Sequence, residues 1–198
     1  IYIFHIKGIL REREACFMKA YTSNNIRNIA VLGHGGKGKT TLCEAMLYVA
    51  GATDRLGKVA DGNTVLDFDA EEKRRKSSVS SAMAAIEWDN TKLNIIDAPG
   101  LFDFENGSAE AVRAAEAVLI VTSAGSGVDV GTEKAFKAAE KRGLAKFFAI
   151  TKTDSDHRSF YKTFEALKEV YGNKLCPAII PYMEGNITKS YVNLLTGM

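Results

Sequence analysis

Gly33-His34-Gly35-Gly36-Lys37-Gly38-Lys39-Thr40 is the stretch on which the reading of this chain turns. It satisfies G-x-x-x-x-G-K-[ST], directly after the apolar run Ile29 to Leu32 and directly before a stretch that sets Leu42, Ala45, Met46 and Val49 on one helical face. Successive backbone amides in such a loop must curl around phosphate oxygens without interference from Cβ atoms, and glycines permit that curl. The helix that follows turns its amino terminus towards the same negative charge. Lys39 then reaches the β- and γ-phosphates as a point charge, and the Thr40 hydroxyl ligates Mg²⁺. Gly33, His34, Gly35, Gly36, Lys37, Gly38, Lys39, Thr40 and Thr41 are therefore the candidate nucleotide contacts, with His34 expected to pack or hydrogen-bond rather than to react. The competing reading is a Gly-rich turn that merely caps a helix.

Working outward, further short apolar runs recur at Leu93 with Ile95 and Ile96, Ala117 to Val121, Phe147 to Ile150 and Ala178 to Ile180. Their spacing is too long for hairpins, and runs of this kind are strands buried on both faces. Helical patterns lie between them, the last with Phe160, Phe164, Leu167 and Tyr171 on one face. Ser81 to Trp88 is a weaker strand joined to the Leu93 run by Asp89-Asn90-Thr91, a connection of hairpin length, so this one neighbour is expected to run antiparallel. The fold class is α/β, a P-loop NTPase three-layer sandwich with a mostly parallel sheet and one antiparallel strand. Ligands of such sheets bind beyond the carboxyl ends of the strands, which directs attention to the loops there.

Composition is consistent with this and excludes several alternatives. The 198 residues are 46% hydrophobic and 25% charged, with 26 Lys and Arg against 24 Asp and Glu, so a net charge of +2 makes no case for a nucleic-acid wrapper or a polybasic membrane anchor. Cys16, Cys43 and Cys176 form neither a disulfide framework nor a zinc pattern, which fits a reducing cytoplasm. The apolar start Ile1 to Leu10 is far below the roughly 20 residues of a membrane helix and has no signal-peptide layout. Residues 1–26 read as an amino-terminal extension, with Arg11 to Glu14 a solvated arm and 1–17 as readily translated upstream sequence as native protein. The Asn186-Ile187-Thr188 sequon is given no role.

Two later loops carry chemistry. Asp97-Ala98-Pro99-Gly100 ends the Leu93 strand beside the phosphate loop. There Asp97 can hold Mg²⁺ through water, and the Gly100 amide can sense a γ-phosphate and release it on hydrolysis. Thr151-Lys152-Thr153-Asp154 closes the Phe147 strand and is similar to the N-K-x-D signature that reads guanine. The Asp154 carboxylate matches the adjacent N1–H and N2–H₂ donors of guanine, a pair adenine does not offer, which selects GTP over ATP. The stem of Lys152 can lie along the base while its amine pins the phosphate loop.

With these motifs in place, the chain resembles the G domain of translational GTPases, and within them bacterial elongation factor G and its G-like paralogues. The resemblance covers about Arg27 to Met198 and rests also on Gly57 to Thr64 leading to Asp67-Phe68-Asp69, on Asn94 to Gly100 with Asp103-Phe104, and on Gly127-Val128 with Thr132-Glu133. It implies a GTP-binding domain over 27–176 and the truncated start of an insertion over 177–198, where Ile187 to Leu195 opens a strand or turn with nothing after it to pack against. It implies an effector loop over about Asp69 to Ser81, with Ser78 completing the Mg²⁺ shell, and a catalytic set of Lys39, Ser78 and Gly100. The metal ligands are then Thr40, Ser78 and Asp97. The ligands are GTP or GDP with Mg²⁺, and the partner of the parent protein is the ribosome, with no membrane, no DNA and a monomeric chain.

Three departures from the family pattern carry consequences. The family's water-positioning histidine is Leu101 here, which can neither accept a proton nor orient water, so slow hydrolysis is expected, with a cost of about 10²- to 10³-fold. Thr151 replaces an asparagine and is expected to lose the amide that braces the phosphate loop. Gly36 replaces an aspartate. Two functions stay open at this point, a switch that hydrolyses GTP to GDP and phosphate and a nucleotide-binding regulatory module with little or no hydrolysis, and a third, an ATP-using P-loop kinase or transferase, is disfavoured by the Asp154 motif. The Lys73-Arg74-Arg75-Lys76 run reads as a solvated face.

Overall fold

The computed structural model describes residues 19–154, 159–172, 175–184 and 187–196. The Arg11 to Glu14 arm, Cys16 and Asn186 of the sequon lie outside the described residues. Five strands form the central sheet: β1 (Ile26–Leu32), β2 (Ala82–Trp88), β3 (Thr91–Asp97), β4 (Ala117–Ser123) and β5 (Ala145–Thr151). Their spatial order is β2-β3-β1-β4-β5. β1 runs parallel to both β3 and β4, and β4 parallel to β5, while β2 is antiparallel to β3. The hairpin between β2 and β3 turns on Asp89 and Asn90, whose φ values of 45° and 57° suit a two-residue turn that follows the twist of the strands.

Five helices are described: α1 (Lys39–Val49), α2 (Ala70–Arg75), α3 (Glu105–Ala114), α4 (Val130–Lys141) and α5 (Phe160–Tyr171). Alternate residues of the central strands feed opposite layers. Ala30 and Leu32 of β1 join Val112 of α3 and Ala135 and Ala139 of α4, whereas Val31 joins Cys43 and Leu47 of α1. On α5, Tyr171 stacks on Phe136 of α4 at 4.1 Å and meets Phe148 of β5 at 5.3 Å. The helix layers therefore flank the sheet as a three-layer sandwich, the expected class.

The structure corrects the sequence reading at two points. Of the face read on α1, Ala45 is buried, Leu42 and Met46 are only partly buried and Val49 is exposed at 58%, while the residues that enter the sheet core are Cys43 and Leu47. Cys43, counted above only for its sulfur chemistry, is a core residue. The Ala178 to Ile180 run does not enter the central sheet either. It begins β6 (Ile179–Glu184), which pairs antiparallel with β7 (Ile187–Asn193) in a separate two-stranded sheet. Ile179 is 54% exposed there, because a short apolar run does not by itself specify which sheet it joins. β7 thus packs backwards on β6, and Tyr161 of α5 donates to the Pro181 carbonyl at 2.7 Å to seat the hairpin.

Candidate functional site

The loop from Gly33 to Gly38 leaves the carboxyl end of β1 and enters α1 without a side-chain cap on the helix. The first amides of α1 therefore have no partner within the helix and stand available to an anion. Gly33 (φ 137°) passes so close to the Val121 carbonyl of β4 that a Cβ would collide with it, and Gly38 adopts φ 90° at the helix start. Lys39 is 6% exposed and donates to the Gly33 and His34 carbonyls at 3.0 and 3.1 Å, folded back over its own loop. Burial lowers its pKa, and the Asp97 charge opposes that shift.

Two bonds from the β5 end fasten the same loop. The Thr151 hydroxyl reaches the Lys37 carbonyl at 2.6 Å and the Thr122 carbonyl at 3.1 Å, and Lys152 Nζ donates to the Gly36 carbonyl at 2.6 Å. The brace expected to be lost with the asparagine is thus made by the threonine hydroxyl, while Lys152 pins the loop as its position implied. Asp154 is exposed just beyond, and Thr41 is exposed on the first turn of α1.

At the foot of α1 the candidate metal ligands converge. Thr40 Oγ1 donates to Asp97 Oδ2 at 2.6 Å and lies 3.2 Å from Ser78 Oγ. Ser78 Oγ donates onward to Asp67 Oδ1 at 2.7 Å. Burial pushes the Asp97 carboxyl up to about 7, against the opposing Thr40 bond and Lys39 charge, and burial also raises Asp67 against its bond from Ser78. Asp97 Oδ1 and Asp67 Oδ2 are buried without a hydrogen-bond partner. Hydroxyl and carboxylate oxygens with spare lone pairs are the donor set that a hard divalent cation takes, so these residues fit Mg²⁺. Asp67 entered the sequence reading only as part of a family string, and only the fold brings it to the site.

The segment carrying Asp67 and Ser78 is held by two buried carboxylates that sequence reasoning did not single out. Glu44, on α1 and fully buried, accepts from the Val65 and Leu66 amides at 2.7 and 3.1 Å. Gly57 has no room for a Cβ because the same carboxylate occupies the space. Glu72 of α2 closes a capping box with Asp69, and its other oxygen accepts from the Val79 and Ser80 amides at 3.0 and 3.2 Å. Of the basic run, Arg74 and Arg75 pair with Glu71 at 2.7 and 2.5 Å on an exposed face, as expected of a solvated helix surface.

Gly100 sits against Lys39 Nζ and the Gly35 amide so tightly that a side chain there would have to displace them. Leu101 covers Gly35, with its Cδ2 2.9 Å from where a Gly35 Cβ would stand. His34 packs its ring 5.5 Å from that of Phe102, and the Lys134 ammonium lies 4.5 Å from the Phe102 ring centre. The phosphate loop, Asp97, Gly100, Ser78, Thr151 and Lys152 are therefore assembled at one end of the sheet.

Comparison with known proteins agrees with this geometry. Residues 24–193 match the model of the elongation factor Tu GTP binding domain. An elongation factor G-like protein of Mycobacterium tuberculosis is 36% identical over 162 residues, covering 82% of this chain and 23% of that protein. A mitochondrial ribosome-releasing factor 2 of Debaryomyces hansenii is 35% identical over 158 residues, covering 80% of this chain and 18% of that protein. A crystal structure of a Thermus thermophilus protein superposes with a TM-score of 0.82 at 37% identity, over 87% of this chain and 26% of that one. The chain thus spans about a quarter or less of the length of the relatives it matches. Among the described residues no helix is long and apolar enough to cross a membrane.

Proposed function

The chain belongs to the elongation factor Tu GTP-binding domain family, resembling elongation factor G within it, and on that premise we propose that it is the GTP·Mg²⁺ switch of a ribosome-linked translation factor. The observation that carries the reading is the meeting of Thr40, Ser78 and Asp97 below the phosphate loop, with Asp67 behind Ser78. Residues drawn from α1, the effector segment and β3 share one small volume there, as a switch that senses a bound phosphate and cation requires. Thr40 and Ser78, with the Asp97 and Asp67 carboxylates, would hold Mg²⁺, which neutralises phosphate charge when bound. The loop amides from Gly33 to Thr40 and the Lys39 ammonium bind the phosphates. Asp154 reads the guanine edge, and Thr151 and Lys152 keep the loop in shape. Gly100, packed against Lys39, would offer its amide to a γ-phosphate and release it on hydrolysis.

The parent protein acts on ribosomes in the manner that the names of its relatives describe, in the cytoplasm and as a monomer. Its pattern-free cysteines suit a reducing compartment. One observation favours the second reading, a regulatory module with little hydrolysis: Leu101, which offers no hydrogen bond to water, covers Gly35 beside the phosphate site.

Titration calorimetry with GTP, GDP and ATP in millimolar magnesium tests the binding, with guanine nucleotides expected to bind and ATP not to compete. Ribosome-stimulated phosphate release separates the two readings, and single-turnover hydrolysis by the unsubstituted chain and by Leu101→His tests the part played by Leu101. A slow basal rate that rises about 10²-fold or more with histidine supports the expected cost of Leu101, and equal rates would remove Leu101 from the account. No heat with any guanine nucleotide would overturn the whole assignment.

A further inference from the structure

The geometry points to Lys37 as a positioning residue that clamps the phosphate loop to the start of α4 through Asp129 and Ser126. The inference rests on the nucleotide-binding reading above and deepens it. The G-x-x-x-x-G-K-[ST] pattern leaves the Lys37 position open, and a lysine in a phosphate loop reads at first as one more charge for the ligand. Its side chain is committed elsewhere. Nζ donates to Ser126 Oγ at 2.7 Å and lies 3.3 Å from Asp129 Oδ2, with only 16% and 19% of the Lys37 and Asp129 side chains exposed. Ser126 is in turn bonded to Ser123, the last residue of β4, at 2.5 Å.

Asp129 serves two elements at once. Its Oδ1 accepts from the Thr132 amide and hydroxyl at 2.8 and 3.0 Å, which caps α4, while Oδ2 faces Lys37. The start of α4 already touches the loop at a second point, where Gly131 lies so close to His34 that a Cβ would stand 2.7 Å from its Cα. The Lys37 residue is thus gripped by both ends, its carbonyl by Thr151 and its ammonium by Asp129 and Ser126. A loop held in this way has its amides oriented before the ligand arrives, and binding loses less free energy to ordering. Since Asp129 balances the Lys37 charge, the clamp acts through geometry rather than through added attraction for phosphate.

Stopped-flow release of a fluorescent GDP from the magnesium-loaded protein tests this with Lys37→Met, Asp129→Asn, the double variant and Lys37→Arg. Asparagine keeps a capping oxygen for α4 but not the charge. Each single change is expected to speed release about fivefold, the effect of a well-placed, partly buried pair. The double variant should release no faster than either single, and arginine should restore the native rate. Thermal unfolding of the nucleotide-free variants supplies the control. A loss of stability with release rates within twofold of native would overturn the proposal, as would effects that add fully in the double variant. Should Lys37→Met fail to fold, Asp129→Asn carries the same comparison. Failure of the unsubstituted protein to bind GDP would instead refute the underlying nucleotide reading, and the clamp with it.

Discussion

Replacing Asp97 by asparagine should abolish most of the pH dependence of stability in the nucleotide- and magnesium-free protein. Asp97 is 1% exposed, and burial moves its carboxyl from 3.8 to about 7. Below pH 4 the carboxyl is protonated whether the chain is folded or not, so it adds nothing. Between about pH 4 and 7 the folded chain binds the proton more tightly than the unfolded chain, and stability falls as pH rises. Above pH 7 both states are ionised and the full cost is present. At about 1.4 kcal/mol for each pH unit, a rise from 3.8 to about 7 amounts to about 4 kcal/mol, a large share of the stability of an ordinary domain. Urea unfolding with a chelator present, at pH 4, 6 and 8, should show the native protein weakening and Asp97→Asn holding nearly level. A smaller slope of the same sign remains from Asp67, which is raised by the same cause. With GDP and magnesium added, the native slope should flatten, because a cation against Asp97 favours the ionised form. Parallel profiles for the two proteins, or a native protein that gains stability from pH 4 to 7, would refute the reasoning.

The remaining predictions concern the groups that shape the site. Thr151→Val removes the hydroxyl bonded to the Lys37 carbonyl, and GDP affinity should fall about tenfold by calorimetry, in line with a lost hydrogen bond of about 1 to 1.5 kcal/mol, whereas Thr151→Asn should retain binding. Glu44→Ala leaves the Val65 and Leu66 amides without their acceptor and should cost about 2 to 4 kcal/mol in denaturant unfolding, with Glu44→Gln costing distinctly less. Asp154→Asn should shift preference from guanosine to xanthosine diphosphate in a competition titration, because the amide can donate to the oxygen that replaces the guanine amino group. Unchanged guanine selectivity in that variant would count against Asp154 as the base reader.

Much of the architecture was legible because it rests on short-range pattern. The apolar runs at Ile29, Leu93, Ala117 and Phe147 became the parallel strands, and Asp89-Asn90 turned the hairpin where residues tolerant of positive φ are needed. The misjudged run at Ala178 had the same local composition but a different partner, a distinction no window of a few residues contains. The stripe on α1 was misread for a related reason. Cys43 and Val49 are both small and apolar, and only the sheet above α1 decides which of them is covered.

By itself, the sequence determined the glycine-rich loop between β1 and α1, the alternation of strand and helix, and the identity of the residues that close each strand, because these depend on backbone conformation and on periods of two and 3.6 residues. Only the tertiary structure decided that Asp67 stands behind Ser78, that Glu44 and Glu72 are buried anchors of the effector segment, that Thr151 supplies the missing brace, and that Lys37 turns to Asp129. The longest of those contacts joins groups far apart along the chain, Lys37 and Thr151 at 114 residues, as does the bond between Thr40 and Asp97 at 57. The strand order β2-β3-β1-β4-β5 brings them to one end of the sheet, where a buried carboxylate must find a donor or a cation.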